Sequence, residues 1–226
     1  MNYEDEGYLL SKIKFRENAN IINVFTSKYG KVSGIVYGGN SRKIRNYLQI
    51  SNKIFIFYNA KNENKIGYFK TELIEPISPK YFNDKKKTST LLSFTNLLNI
   101  LLPDLQPNNK IYQSVENLLE NLNHHNWPLL YIFWELNLIK ELGFDPNFKD
   151  ISTKVKSSED FIKLSVDGIS YMVPLFILKN TIPENFNNLL IKKSLIFTRS
   201  IMSNKFFLPN NLIFPKSRVL LENYFN

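Results

Sequence analysis

Between residues 11 and 53 the chain carries nine basic side chains and one acid. Lys12, Lys14, Arg16, Lys28, Lys31, Arg42, Lys43, Arg45 and Lys53 stand against Glu17, so this stretch holds +8 of a formal net charge of +9. The chemistry such a set can do is electrostatic. A dense cationic field on a small unit draws a polyanion by counterion release, without reading sequence and with strong salt dependence. Lysines also keep ordinary surfaces wet, but here the acids are missing as well as the bases present, which points to nucleic acid. Arg16, Lys31, Arg42, Lys43, Arg45 and Lys53 are the residues expected to neutralise phosphates.

Bond-making chemistry finds little support. The chain has no cysteine, which excludes disulfides, thiolate zinc sites and cysteine nucleophiles. Its two histidines are adjacent, His124-His125; neighbours on a helix diverge by about 100° and make a poor metal pair. There is no Gly-x-x-x-x-Gly-Lys-Ser/Thr, Gly-x-Gly-x-x-Gly or Gly-x-Ser-x-Gly. Glu4, Asp5 and Glu6 read as a solvated N-terminal segment. Glu135, beside Trp134, reads as a buried structural hydrogen-bonding group before it reads as a base. With no convergent constellation, the expectation is a non-enzyme without cofactor or metal.

The elements that must position the cations change period along the chain. From Tyr8 to Leu73 the pattern is strand-like. Lys12-Ile13-Lys14-Phe15-Arg16 alternates, which places Ile13 and Phe15 on one face and three cations on the other. Further strands are expected over Asn20–Thr26, Lys31–Tyr37, Lys53–Asn59 and Lys65–Ile74, with a turn at Gly30 and a polar, glycine-containing loop between the third and fourth. Five short strands in this arrangement fit a small barrel of the oligonucleotide-binding type. Tyr37 and Tyr47, beside the loop, either offer stacking surfaces to bases or pack the barrel.

Past Pro76 and Pro79 the period becomes helical. Helices are expected over Thr88–Leu102, Asn109–Asn123 and Trp127–Leu142, the last capped by Asn126, with Pro128 in its first turn and Gly143 after its end. Apolar residues cover most of that third helix, so it should be the buried centre of a bundle. Phe161–Val173 alternates about Asp167-Gly168, a hairpin signal, and helices return over Glu184–Asn204 and Lys216–Tyr224. The fold expected is α+β: an N-terminal five-stranded barrel domain over residues 1–78, then a mainly helical domain over 84–226 with a small hairpin near 159–173. Apolar runs are too short for a membrane span, and the acidic start does not resemble a signal peptide. A cytoplasmic, nucleoid-associated protein is expected.

The residues also carry a resemblance. Asp5-Glu6-Gly7-Tyr8-Leu9-Leu10-Ser11, Phe15-Arg16-Glu17-Asn18, Val24-Phe25-Thr26, Tyr29-Gly30-Lys31-Val32-Ser33-Gly34 and Gly38-Gly39-Asn40-Ser41-Arg42-Lys43 resemble the opening of the RecO family of bacterial recombination mediators. Trp134-Glu135-Leu136, Glu141-Leu142-Gly143-Phe144, Phe197-Thr198-Arg199 and Lys216-Ser217-Arg218 follow in the family's order. The resemblance implies an oligonucleotide-binding barrel on a helical domain and a role in DNA repair. Similar proteins bind single-stranded DNA, anneal complementary strands and, with RecR, help load RecA onto DNA coated by single-stranded DNA-binding protein, docking on that protein's C-terminal tail. The partners it implies are single- and double-stranded DNA, RecR and that tail, and no membrane. Two departures stand out. Many relatives carry a four-cysteine zinc module where this chain has Ile151–Val173, so the hairpin must hold itself by packing. Some relatives place arginines just before the equivalent of Trp134, to grip the tail, where this chain has Ile132 and Phe133. A protein-interaction adaptor and an RNA-binding barrel protein are the alternative functions.

Overall fold

The computed structural model describes residues 2–60, 66–145 and 160–226. It divides into two compact units, one of residues 1–112 with 215–218 and one of 113–214 with 219–226.

The first unit is built on a closed barrel. β1 (Asn2–Arg16), β2 (Ala19–Thr26) and β3 (Gly30–Tyr37) form a meander, followed by a short helix α1 (Arg42–Tyr47), β4 (Lys53–Asn59) and β5 (Tyr68–Glu75). The strand order is β1-β2-β3-β5-β4, and β4 returns to pair with β1 along Asn2–Tyr8. This five-stranded ring is the oligonucleotide-binding fold. Its interior is Leu9, Ile22, Val24, Val32, Val36, Leu48, Ile54, Ile56 and Phe69. Gly34 faces Phe69 so closely that a Cβ there would lie 2.4 Å from the ring. Outside the barrel, Tyr112 covers Tyr8 and Phe25, and α2 (Lys85–Leu101) packs on β1 and β2. The unit containing the barrel therefore runs past the polar connection at residues 76–87.

Three local expectations change. The segment after β3 is the helix α1, because Ile44, Tyr47 and Leu48 fall at helical spacing and pack on the barrel core. The N-terminal acids are strand residues rather than a solvated segment, and Asp5 is buried. Its carboxylate accepts from Ser27 Oγ at 2.9 Å and from the Lys28 amide at 2.8 Å, fixing the β2–β3 turn. The third change concerns the β1 register. A bulge lies between Leu9 and Ser11: Leu9 pairs with Val24, but Ser11 pairs with Asn23 and Lys12 with Ile22. One extra residue exchanges the faces of everything that follows. Lys12 and Lys14 thus share the interior face with Ile22 and Asn20, and Ile13 turns outward, 64% exposed. A second irregularity at Phe15 leaves that ring 42% exposed. The expectation that Ile13 and Phe15 enter the core is overturned. Lys65, where the fifth strand was expected to start, lies outside the described residues.

The second unit is helical. α3 (Asn109–Glu120) leads into it, and α4 (Trp127–Glu141) has Trp127, Leu129, Tyr131, Ile132, Trp134, Leu138 and Ile139 buried, the all-round apolar helix its sequence implies. Pro128 is in its first turn and Gly143, at φ +96°, follows its end, though Asn126 makes no side-chain capping bond. β6 (Phe161–Val166) and β7 (Ile169–Pro174) form the hairpin about Asp167-Gly168, followed by α5 (Leu175–Leu178), α6 (Asn188–Met202), a π-helical turn over Ser203–Phe207 and α7 (Lys216–Asn223). No metal is required to explain how the hairpin is held. Tyr171 packs edge-on against Phe197, Asn204 donates to the Tyr171 hydroxyl at 3.2 Å, and Lys205 pairs with Asp167. Residues 151–159 of the zinc-module equivalent lie outside the described residues.

Replacing Asp5 by alanine strands the Lys28 amide and the Ser27 hydroxyl. Urea denaturation of Asp5→Ala should show a loss of about 1–3 kcal/mol, whereas Glu4→Ala, on the exposed face of the same strand, should stay within about 0.5 kcal/mol.

Candidate nucleic-acid interface

Four of the six cations expected to meet phosphate come together at one end of the barrel. Arg42, Lys43 and Arg45 lie on the exposed side of α1, opposite Ile44 and Tyr47. Arg42 and Arg45 are three residues apart on one helix face and repel each other, and no acid occupies the first turn. The helix is thus held by apolar packing on the barrel while its outer face is left purely cationic. Arg16 reaches the same end through the β1–β2 turn, which is tied to the start of α1. Asn40 Nδ2 donates to the Glu17 carbonyl at 2.9 Å, Asn20 Nδ2 donates to Asn40 Oδ1 at 3.1 Å, and the Gly38 amide donates to the Asn18 carbonyl at 2.7 Å.

The register change adds two cations that the six did not include. Lys12 extends beneath α1 and donates from Nζ to the Leu48 carbonyl at 2.8 Å, satisfying a carbonyl at the helix end. Burial, and then the Arg45 guanidinium, push the Lys12 ammonium below its usual range. Lys14 is exposed two residues further along the same face. The signal that could have found this pair was Leu9-Leu10 before Ser11. Two adjacent buried leucines break the alternation and mark a bulge. Among the described residues, none of Lys14, Arg16, Arg42, Lys43 and Arg45 is held in an ion pair with a carboxylate.

Lys31 and Lys53 lie elsewhere. They flank the row Lys53–Tyr8–Phe25–Lys31 under Tyr112. Lys31 pairs with Asp104 at 3.2 Å and donates to the Asn99 carbonyl at 2.9 Å. Lys53 pairs with Glu6 at 2.8 Å and lies over the Tyr8 and Tyr112 rings. Six residues of β3, about 20 Å of strand, separate Lys31 from Tyr37 at the cationic end. The two tyrosines also part company: the Tyr47 hydroxyl donates to the Thr71 carbonyl at 2.6 Å and its ring packs on the core, while Tyr37 is 56% exposed.

In the second unit Glu135 is fully buried and accepts from the Thr198 hydroxyl. His125 stacks at 5.1 Å on Phe186 at the surface. Ile132 is a core residue and Phe133 packs edge-on against Phe176, so neither presents a cation to an acidic tail.

If Arg45 is one cause of the depressed Lys12 titration, removing its charge must reverse part of the shift. Arg45→Gln should raise the Lys12 pKa, followed by NMR of the side-chain amine; a value that does not rise would separate the two groups.

Comparison with known proteins accounts for both units. The model described as Recombination protein O N terminal matches residues 1–77, and Recombination protein O C terminal matches residues 83–163. The DNA repair protein RecO of Roseobacter denitrificans is 34% identical over 145 residues, 64% of this chain and 60% of that protein. The protein of the same name from a Wolbachia of Drosophila simulans is 31% identical over 165 residues, 72% of this chain and 68% of that protein. The match thus spans about 60% of the length of the first of these relatives. Among solved structures, Entamoeba histolytica asparaginyl-tRNA synthetase superposes with a TM-score of 0.28 at 13% identity, over 76% of this chain and 40% of that one, too slight a likeness to argue from. A barrel of this topology, the ordered motifs and the matches to both terminal models agree: the chain belongs to the RecO family of DNA repair proteins.

Proposed function

We propose that this chain is a recombination mediator that binds single-stranded DNA at the α1 end of its barrel and anneals complementary strands. The observation that carries this is the convergence of Arg16, Arg42, Lys43 and Arg45 with Lys12 and Lys14, in a unit whose other cations are largely spent on ion pairs. Two DNA strands repel through their phosphates. A surface that neutralises both lowers the barrier to their meeting, and because it grips backbone it serves any sequence. Phosphate contacts position a strand without committing its base edges, which is what pairing with a second strand requires. The reading includes helping to load RecA, together with RecR, on DNA coated by single-stranded DNA-binding protein, with RecR and that protein's tail as docking partners. No bond chemistry is needed for any of this.

Reversing Arg42, Lys43 and Arg45 to glutamate should weaken single-strand binding and reduce the slope of log affinity against log salt by about two units for three lost contacts. Lys31→Gln should leave the slope unchanged, because that amine is already paired. Fluorescence anisotropy at several salt concentrations measures both. An unaltered slope in the triple variant would remove the interface. Competition between DNA and RNA strands of equal length decides the sugar, and a nuclease-resistant pull-down of RecR tests that partner.

A further inference from the structure

Resting on that reading, we infer that the outward face of the barrel beside the cationic end is a platform for the nucleobases of a bound single strand. The β1 bulge makes it. Ile13, Ile21, Ile35 and Tyr68 are successive cross-strand partners over β1, β2, β3 and β5, so their side chains form one row on the outer surface. The adjoining row is Arg16, Ala19 and Tyr37. The Tyr37 and Tyr68 rings are 6.4 Å apart, linking the two rows. Phe15, displaced by the second irregularity, lies beside Arg16, whose guanidinium carbon is 5.2 Å from the centre of its ring.

Higher on the same sheet face the outer surface is covered. Asn23 donates to Asn99 of α2 at 2.7 Å, and Phe25 is buried under Tyr112. Below that level, Ile13, Phe15 and Tyr37 face solvent. Exposed apolar side chains grouped in one place mark an interaction surface. The occupant is argued from charge and position. The rows end on the Arg16 guanidinium, and the β1–β2 turn that carries it is hydrogen-bonded to the start of the cationic helix. A strand whose phosphates lie along Arg16, Arg42 and Lys43 brings its bases within reach of these apolar rows. Tyr37 and Phe15 supply ring faces, which accept any base, and Ile13 and Ile21 supply an apolar floor. A duplex, with its bases stacked inside, can use the cations but not the platform. The arrangement therefore gives a preference for unpaired DNA that charge alone does not provide, and a strand leaves the platform as it pairs.

The test uses the full chain, a thymidine oligomer and an oligomer of equal length made of abasic deoxyribose phosphates. Tyr37→Ala should bind the thymidine strand about tenfold more weakly and the abasic strand within about twofold of the parent; Tyr37→Phe, which keeps the ring, should restore thymidine binding. Ile13→Ser should move the same way as Tyr37→Ala. Loss of binding to both strands alike, or to neither, overturns the platform. So does a change in oligomeric mass on Ile13→Ser with thymidine binding intact, which would make the face a contact between copies. The charge-reversed triple variant separates this from the reading beneath it. If it loses both strands while Tyr37→Ala binds thymidine normally, only the platform falls. If it binds both like the parent, the interface itself falls and the platform with it.

Discussion

One extra residue in β1 sets the surface of this barrel. The bulge at Leu10 buries two consecutive leucines and exchanges the faces of the rest of the strand. Without it, Ile13 would face the interior and Lys12 and Lys14 would lie on the outside. With it, Lys12 spans the barrel end to meet the last carbonyls of α1, and Lys14 follows it to the same end. The cost is an ammonium in a partly desolvated place beside a guanidinium, offset by the hydrogen bond to Leu48. A side-chain arrangement of this kind concentrates positive charge where the short helix already carries three cations.

The barrel thereby treats its cations in two ways. At the end nearest Tyr112, Lys31 and Lys53 are closed into ion pairs with Asp104 and Glu6 and lie against aromatic rings or carbonyls. Those groups hold α2 and its following turn, and the β1–β4 pairing, in place. At the α1 end the cations lack such partners, and the polar groups that are present (Asn20, Asn40 and the Glu17 carbonyl) bond to one another instead. The first arrangement serves folding, the second is available to an external polyanion. Net charge alone did not separate the two, since all of these residues contribute equally to it.

Much of the architecture was legible in the sequence. The five strands, the helices from α2 onward and the hairpin about Asp167-Gly168 follow from alternation, helical spacing and turn residues, and the ordered motifs carried the family. What the sequence concealed was register and tertiary pairing. The alternation of residues 12–16 was real, but its phase depended on a bulge that a period-two reading passes over. α1 was hidden because six residues give only two turns of pattern, in a segment rich in glycine and asparagine. Asp5 looked solvated because its partners, Ser27 and the Lys28 amide, are more than twenty positions away. Lys31 and Lys53 looked like their neighbours for the same reason: an ion pair with a distant carboxylate leaves no local trace.

The claim on which the rest depends is that the cations gathered by the bulged strand and α1 are the ones that meet DNA. Acetylation rates of individual lysines, followed by mass spectrometry with and without single-stranded DNA, address it most directly. The account predicts slowed modification of Lys14 and Lys43 on adding DNA, with the exposed Lys163 and Lys179 of the helical unit unchanged. Protection spread evenly over all four, or confined to Lys163 and Lys179, would contradict it.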